Sequence, residues 1–206
     1  ALPIWLVDLY YAKDFKNFVN ESINKDKKNL YDNDSRIVIP FYNKDKELTM
    51  VQGRSLEENP KMRYMTVKIK DCDKIFGSDK IDESKTIYVV EGPLDSLFLN
   101  NCIATADSNL TAASRVYDKK QLVLVFDNEP RNKEIVKQIS RAVEQHFRVV
   151  IFPEMLSSKD INEMILEGFT SEELHDIIDQ HTFVNLRANA EFYNWKKIWD
   201  TKLNPF

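Results

Sequence analysis

Three short runs of β-branched and apolar residues, Thr86 to Val90 (TIYVV), Leu122 to Phe126 (LVLVF) and Arg148 to Phe152 (RVVIF), set the rhythm of the chain. Such runs, almost without charge, are the pattern of strands buried on both faces of a parallel sheet. Between the second and third, Ile135, Ile139, Ala142 and Val143 recur at helical spacing within Arg131 to Phe147, the stripe of a helix packed on a sheet. Ile161, Met164 and Ile165 repeat that stripe after the third run. After the first run, Pro93 is suited to open a helix that SLFLNN completes, since its missing N–H would be unpaired there anyway. CIATA then predicts a short strand, and DSNLTAASRV a loop and a short helix.

Upstream the pattern changes. IVIPFY after Arg36 and LTMVQGR from Leu48 read as two strands joined by a hairpin turn at NKDKE. Gly53 in the second strand predicts a close approach of backbone to a ligand. Asp71 to Ser84 is a polar connector around IFG. From Thr170 the chain reads as helical: TSEE is a capping box, followed by LHDIIDQ. Phe183 to Trp199 mixes aromatics with Arg187, Lys196 and Lys197, and either packs back on the core or binds a partner. The expectation is an α/β fold with a mainly parallel sheet flanked by helices over residues 85–168. An α+β subdomain over 1–84 precedes it and a helical segment over 169–206 follows. Right-handed crossovers put the C-terminal ends of the parallel strands on one rim.

At 206 residues, 43% hydrophobic and 11% aromatic, the chain is large enough for a real core. No uncharged apolar run approaches the ~20 residues of a membrane span, and ALPIWLVDLYY lacks the basic start of a signal peptide. A cytosolic setting is expected, with Cys72 and Cys102 reduced and no zinc spacing among them and His146, His175 and His181. The first residue is not methionine, which suggests a fragment of a longer protein. A net charge of −4 argues against a wholly basic surface, so any nucleic-acid binding must be local.

The candidate chemistry sits where the strands end. Glu91 closes the first, with Asp95 in the first turn of the following helix; Asp127, Asn128 and Glu129 close the second; Asp160 follows a polar loop after the third. Side chains alternate on extended chain, so Asp127 and Glu129 point to the same side and can share an ion. Singly, each acid is as readily an ordinary capping residue. As a set on one rim they repel: two carboxylates about 4 Å apart cost roughly 4 kcal/mol at an effective dielectric near 20. All-oxygen ligands without cysteine or histidine favour Mg²⁺ or Mn²⁺, with sites left open for phosphate oxygens. Metal-dependent phosphoryl or nucleotidyl transfer is the expected chemistry. A Walker-type phosphate loop is missing, and only 4 glycines are present to make one. Basic side chains must then help to grip phosphates. Upstream the candidate place is the segment from Arg36 to Lys70, where Arg36 and Arg54 are followed by Lys61, Arg63, Lys68 and Lys70 with Tyr64 between them as a stacking surface, although a solvated hairpin with scattered lysines fits the same residues. Arg131 either contacts a phosphate or pairs with the acids, and Lys159 precedes Asp160.

The order hydrophobic strand, EGPLD, hydrophobic strand, DNE, then KDIN resembles the Toprim domain shared by bacterial-type primases, type IA and type II topoisomerases and some nucleases. RIVIPFYNKDKELTMVQGRSL, PKMRYMT, KIFG, EGPLDSLF and VFDNEPR extend the resemblance, over roughly Ala1 to Gly168, to the DNA primases of T-even-type bacteriophages. The resemblance implies synthesis of short RNA primers from NTPs on single-stranded DNA during phage replication, in the host cytoplasm. Two or more Mg²⁺ ions would be held by Asp127, Glu129 and Asp160 with Glu91 nearby. Glu91 would serve as metal ligand or general base, and Asp95 would support the cluster. Arg36, Arg54 and Lys61 match basic positions that hold template and nucleotides, and a hexameric replicative helicase is the implied partner. Two departures stand out. Ala106, Asp107 and Ser108 replace a glycine-rich turn, and Glu129 replaces a second aspartate, with Pro130 opening the next helix. The rival readings are a Toprim metal-dependent nuclease and a non-catalytic module that binds nucleic acid or a helicase.

Overall fold

The computed structural model describes residues 9–23 and 30–197, in two compact units, Ala1–Lys80 and Ile81–Phe206. In the first unit, β1 (Tyr10–Ala12), β2 (Arg36–Tyr42), β3 (Leu48–Ser55) and β4 (Tyr64–Lys68) form an antiparallel sheet in that order. The expected hairpin joins β2 to β3, where Asn43 Oδ1 accepts from the amides of Asp45 and Glu47. Helix α1 (Phe15–Ile23), which the apolar pattern does not announce, turns Phe15 and Val19 onto Val38, Val51, Met65 and Val67.

That packing overturns two expectations. Gly53 does not admit a ligand, because a Cβ there would lie 2.7 Å from the Phe15 ring and 2.8 Å from Arg36 Cδ. Arg36 does not face nucleic acid either. It is 1% exposed, its Nε lies 2.6 Å from Asp34 Oδ2, and it donates to the carbonyls of Gly53, Met62 and Arg63. A guanidinium withdrawn from water needs such partners, and these engage four of its five N–H groups.

In the second unit, β5 (Ile87–Val90), β6 (Cys102–Ala104), β7 (Leu122–Leu124), β8 (Arg148–Val150) and β9 (Thr182–Phe183) make a sheet in the order β6-β5-β7-β8-β9. Every pairing is parallel except β8 with β9, giving the mainly parallel Toprim-type sheet with flanking helices. β5, β7 and β8 are buried along almost their whole length, which is why unbroken apolar runs encode them. The runs overstate two strands: Val125 and Phe126, and Ile151 and Phe152, stay buried but leave the ladder to carry the chain toward the rim.

The helices start and stop on local chemistry. α2 (Pro93–Ser96) is a single turn; after it the amides of Leu97, Phe98 and Leu99 bond the carbonyls three residues back, so SLFLNN continues as tight turns and not as α-helix. α3 (Lys133–Glu144) starts after Asn132, whose side chain accepts from the amides of Glu134 and Ile135, and not at Pro130. α4 (Ile161–Leu166) is capped by Asp160, and α5 (Ser171–Gln180) by the expected capping box of Thr170 and Glu173. β9, absent from the sequence pattern, adds the C-terminal segment to the sheet. α6 (Asn185–Trp195) then buries Ala188, Phe192 and Trp195 and packs on α3. This segment packs back on the core; Ile198 and Trp199 of the expected helix lie outside the described residues. Among the described residues no helix is long and apolar enough to cross a membrane.

Candidate active site

Glu91, Asp95, Asp127 and Asp160 line one small cavity at the C-terminal rim of the second sheet, walled by Val90, Phe126 and Phe152. Each arrives on a separate device. Glu91 follows β5 directly. Gly92 is extended (φ −87°), so its missing side chain matters for space: a Cβ would lie 2.3 Å from Asp95 Oδ2. The one-turn α2 can therefore hold Asp95 against Glu91's strand end, and Asp95 Oδ1 accepts from the Asn162 amide of α4 at 3.1 Å. Asp160 Oδ1 accepts from the Glu163 amide at 2.7 Å. The capping role expected of any single acid is thus real for Asp160, and compatible with its place in the cluster. Glu129, predicted as a metal ligand, does not line this cavity; its charge bears on Glu91 and Asp127, and its Oε2 accepts from Asn132 Nδ2 at 2.9 Å.

The electrostatics are one-sided. Burial, then the charges of Glu91, Asp95, Asp160 and Glu129, push the Asp127 carboxyl up to about 7. Burial first, then Asp107 and Glu129, raises Glu91 as well. Carboxylates held in this way favour whatever neutralises them, a proton or a cation. The donor set is all oxygen and suits a hard divalent ion. Among the described residues no group of three or more His, Cys, Asp or Glu side chains is already placed to hold a metal ion.

Two contributors escaped the sequence pattern. Asp107 bears on Glu91 from the turn after β6, where Ala106 takes a left-handed conformation (φ 47°) with its amide 3.0 Å from Glu91 O. A glycine adopts that conformation without strain, which accounts for the alanine looking out of place. Asn128, buried between Asp127 and Glu129, ties the two acid-bearing loops together. An amide inside an acidic strand end was the available signal.

The basic candidates divide between the units. In the first, the Arg54 guanidinium lies over the Tyr64 ring at 5.9 Å and the Lys61 ammonium over Tyr31 at 5.7 Å, with Lys61 and Tyr64 exposed. Arg36, as described, is internal to the sheet. In the second unit Arg131 and Lys159 are exposed. Among the described residues Arg131 forms no ion pair with the acids, and Lys159 touches the site through its backbone, its carbonyl accepting from the Asn128 amide.

No protein-family model matches the chain. It is 32% identical over 166 residues to the DNA primase of Enterobacteria phage T4, an alignment covering 79% of this chain and 48% of that protein, so the chain spans about half the length of this relative. Its structure matches a DnaG primase catalytic domain solved with ssDNA, with a TM-score of 0.61 over 90% of this chain and 68% of that one at 14% identity. It also matches the primase fragment of the bacteriophage T7 primase-helicase protein, with a TM-score of 0.54 over 72% of this chain and 64% of that one at 20% identity. Over four-fifths of its length the chain is a homologue of the phage T4 DNA primase, built on the fold of primase catalytic cores.

Proposed function

We propose that this chain is the primer-synthesising core of a phage-type DNA primase, a nucleotidyltransferase that joins NTPs on a single-stranded DNA template. The observation that carries the reading is the cluster of Glu91, Asp95, Asp127 and Asp160 in one cavity, with Asp127 raised to about 7 by burial and by the other acids. Asp127, Asp160 and Glu91, with Glu129 adjacent, would hold Mg²⁺ or Mn²⁺, in two or more ions. Bound there, the metal would lower the pKa of the attacking 3′-hydroxyl and neutralise charge on the α-phosphate and leaving pyrophosphate.

The chain's own groups do the rest. Glu91, raised by burial, either completes the metal set or, left out of it, accepts the hydroxyl proton. Asp95, fixed by the Asn162 amide, holds the first strand end against α4. Arg131 and Lys159 offer exposed cations for phosphate oxygens. Arg54 over Tyr64 and Lys61 over Tyr31 combine a phosphate partner with a ring on which a base can stack. The ssDNA of the DnaG relative and the helicase portion of the T7 protein support a DNA template and a replicative helicase as partners, with the host cytoplasm as the setting.

The test incubates the chain with single-stranded DNA, labelled NTPs and Mg²⁺ beside Asp127→Asn. Short RNA from the parent, reduced at least roughly 100-fold in the variant, is the expected result. A shortened DNA strand with no RNA would replace the reading with a metal-dependent nuclease. RNA from both proteins alike would remove Asp127 from the site.

A further inference from the structure

Asn128 is a buried polar residue of the rim whose bonds the chemistry above does not use. Its Nδ2 donates to Leu156 O at 2.9 Å and to Ser158 O at 3.0 Å, its backbone amide lies 2.6 Å from Lys159 O, and its Oδ1 accepts from Trp195 Nε1 at 2.9 Å. It is 9% exposed and Trp195 8%. Both hydrogens of the amide and its oxygen are thus engaged, each to a different point.

Three of those points belong to the loop that ends in Asp160, while Asn128 itself directly follows Asp127. The two loops leave neighbouring parallel strands, β7 and β8, after the ladder has ended, so no strand pairing fixes their distance. Asn128 does so instead, through its side chain and its backbone amide, and the fourth anchor, Trp195, is the last residue of α6 on the C-terminal segment. An aspartate in place of Asn128 would accept from Trp195 but could not donate to two carbonyls, and would add a charge beside Asp127. A side-chain amide, as in Asn or Gln, offers two donors and an acceptor without charge, and Asn does so on the shorter arm.

We propose that Asn128 is a positioning residue that sets the separation of Asp127 and Asp160, and that Trp195 locks it from the C-terminal helix. α6 thereby becomes a structural part of the acidic centre. The consequence for metal rests on the function proposed above; the consequence for the loops does not.

The test uses the full chain with Asn128→Ala and Trp195→Phe, which break the same bond from opposite ends. Neither residue belongs to the acid set. Hydrogen exchange on metal-free protein should accelerate in the segments around 126–130 and 156–163 in both variants while the sheet stays protected. Mn²⁺ titration by the free-ion electron-spin signal should show binding weakened about tenfold, the usual size for removing a residue that orients a ligand. The double variant should lose little more than the stronger single, because the two residues share one interaction. Unchanged exchange in both segments would overturn the proposal, and so would faster exchange with an unchanged Mn²⁺ midpoint. If the parent binds no Mn²⁺, the metal reading fails and the exchange result alone decides whether Asn128 and Trp195 hold the loops.

Discussion

Arg36 in the first unit and Asp127 in the second are both charged groups drawn away from water at the end of a strand, and their surroundings are opposite. Arg36 has Asp34 at 2.6 Å and three backbone carbonyls. Asp127 has other carboxylates around it and is pushed up to about 7. A compensated charge is part of the fold, and removing one side of it leaves the other stranded. An uncompensated cluster weakens the metal-free fold and binds whatever completes it. Burial of charge therefore says little about function until the sign of the neighbours is known.

The largest effect expected from that comparison is on the compensated side. Arg36→Met should destabilise the protein by about 3–5 kcal/mol, the usual size for a broken buried pair, measured by urea unfolding. Adding Asp34→Asn should recover a substantial part of the loss. An exposed, nucleic-acid-facing arginine would instead leave stability unchanged, so this variant separates the two roles directly.

The uncompensated side is sharpened by pH. Asp127 moves from 3.8 to about 7 on folding, so the folded state holds its proton longer than the unfolded chain does. Its contribution to metal-free stability is complete below pH 3.8 and is lost as pH rises to about 7. Asp127→Asn should flatten that slope and leave the metal-free protein more stable at pH 8 than the parent, on the order of 1–3 kcal/mol. Saturating Mg²⁺ should raise the melting temperature of the parent and not of the variant. A parent that loses no stability between pH 4 and 7 would contradict the account.

The smallest effect concerns the turn that brings Asp107 near Glu91. Ala106→Gly should stabilise by about 0.5 kcal/mol, since relief of a left-handed alanine slightly exceeds the entropy cost of glycine. Thermal melts would show a rise of a degree or two, with Ala106→Val shifting the opposite way.

Much of the second unit was legible because β5, β7 and β8 are buried on both sides and leave unbroken apolar runs. The acids were legible because they stand at the ends of those runs. What was not legible depends on contacts distant in sequence or on elements too short to have a period. β1, with 3 residues, and β9, with 2, have no pattern to read. Arg36 looked like a surface residue because nothing local says that Phe15 and the end of β3 close over it. Gly53 signalled a close approach correctly, but the approaching group is a ring of the protein itself. Asn128 was overlooked between two acids because its partners lie about thirty and seventy residues away.

The two tight glycines will behave differently in any survey of variants. A methyl at 53 meets an aromatic ring fixed in the core, whereas at 92 it meets only the far end of the Asp95 side chain, which can swing aside. Position 92 should therefore tolerate alanine in a screen for expression or heat resistance and reject it in a screen for activity. A collection of variants filtered by stability alone would retain this change and count it as harmless.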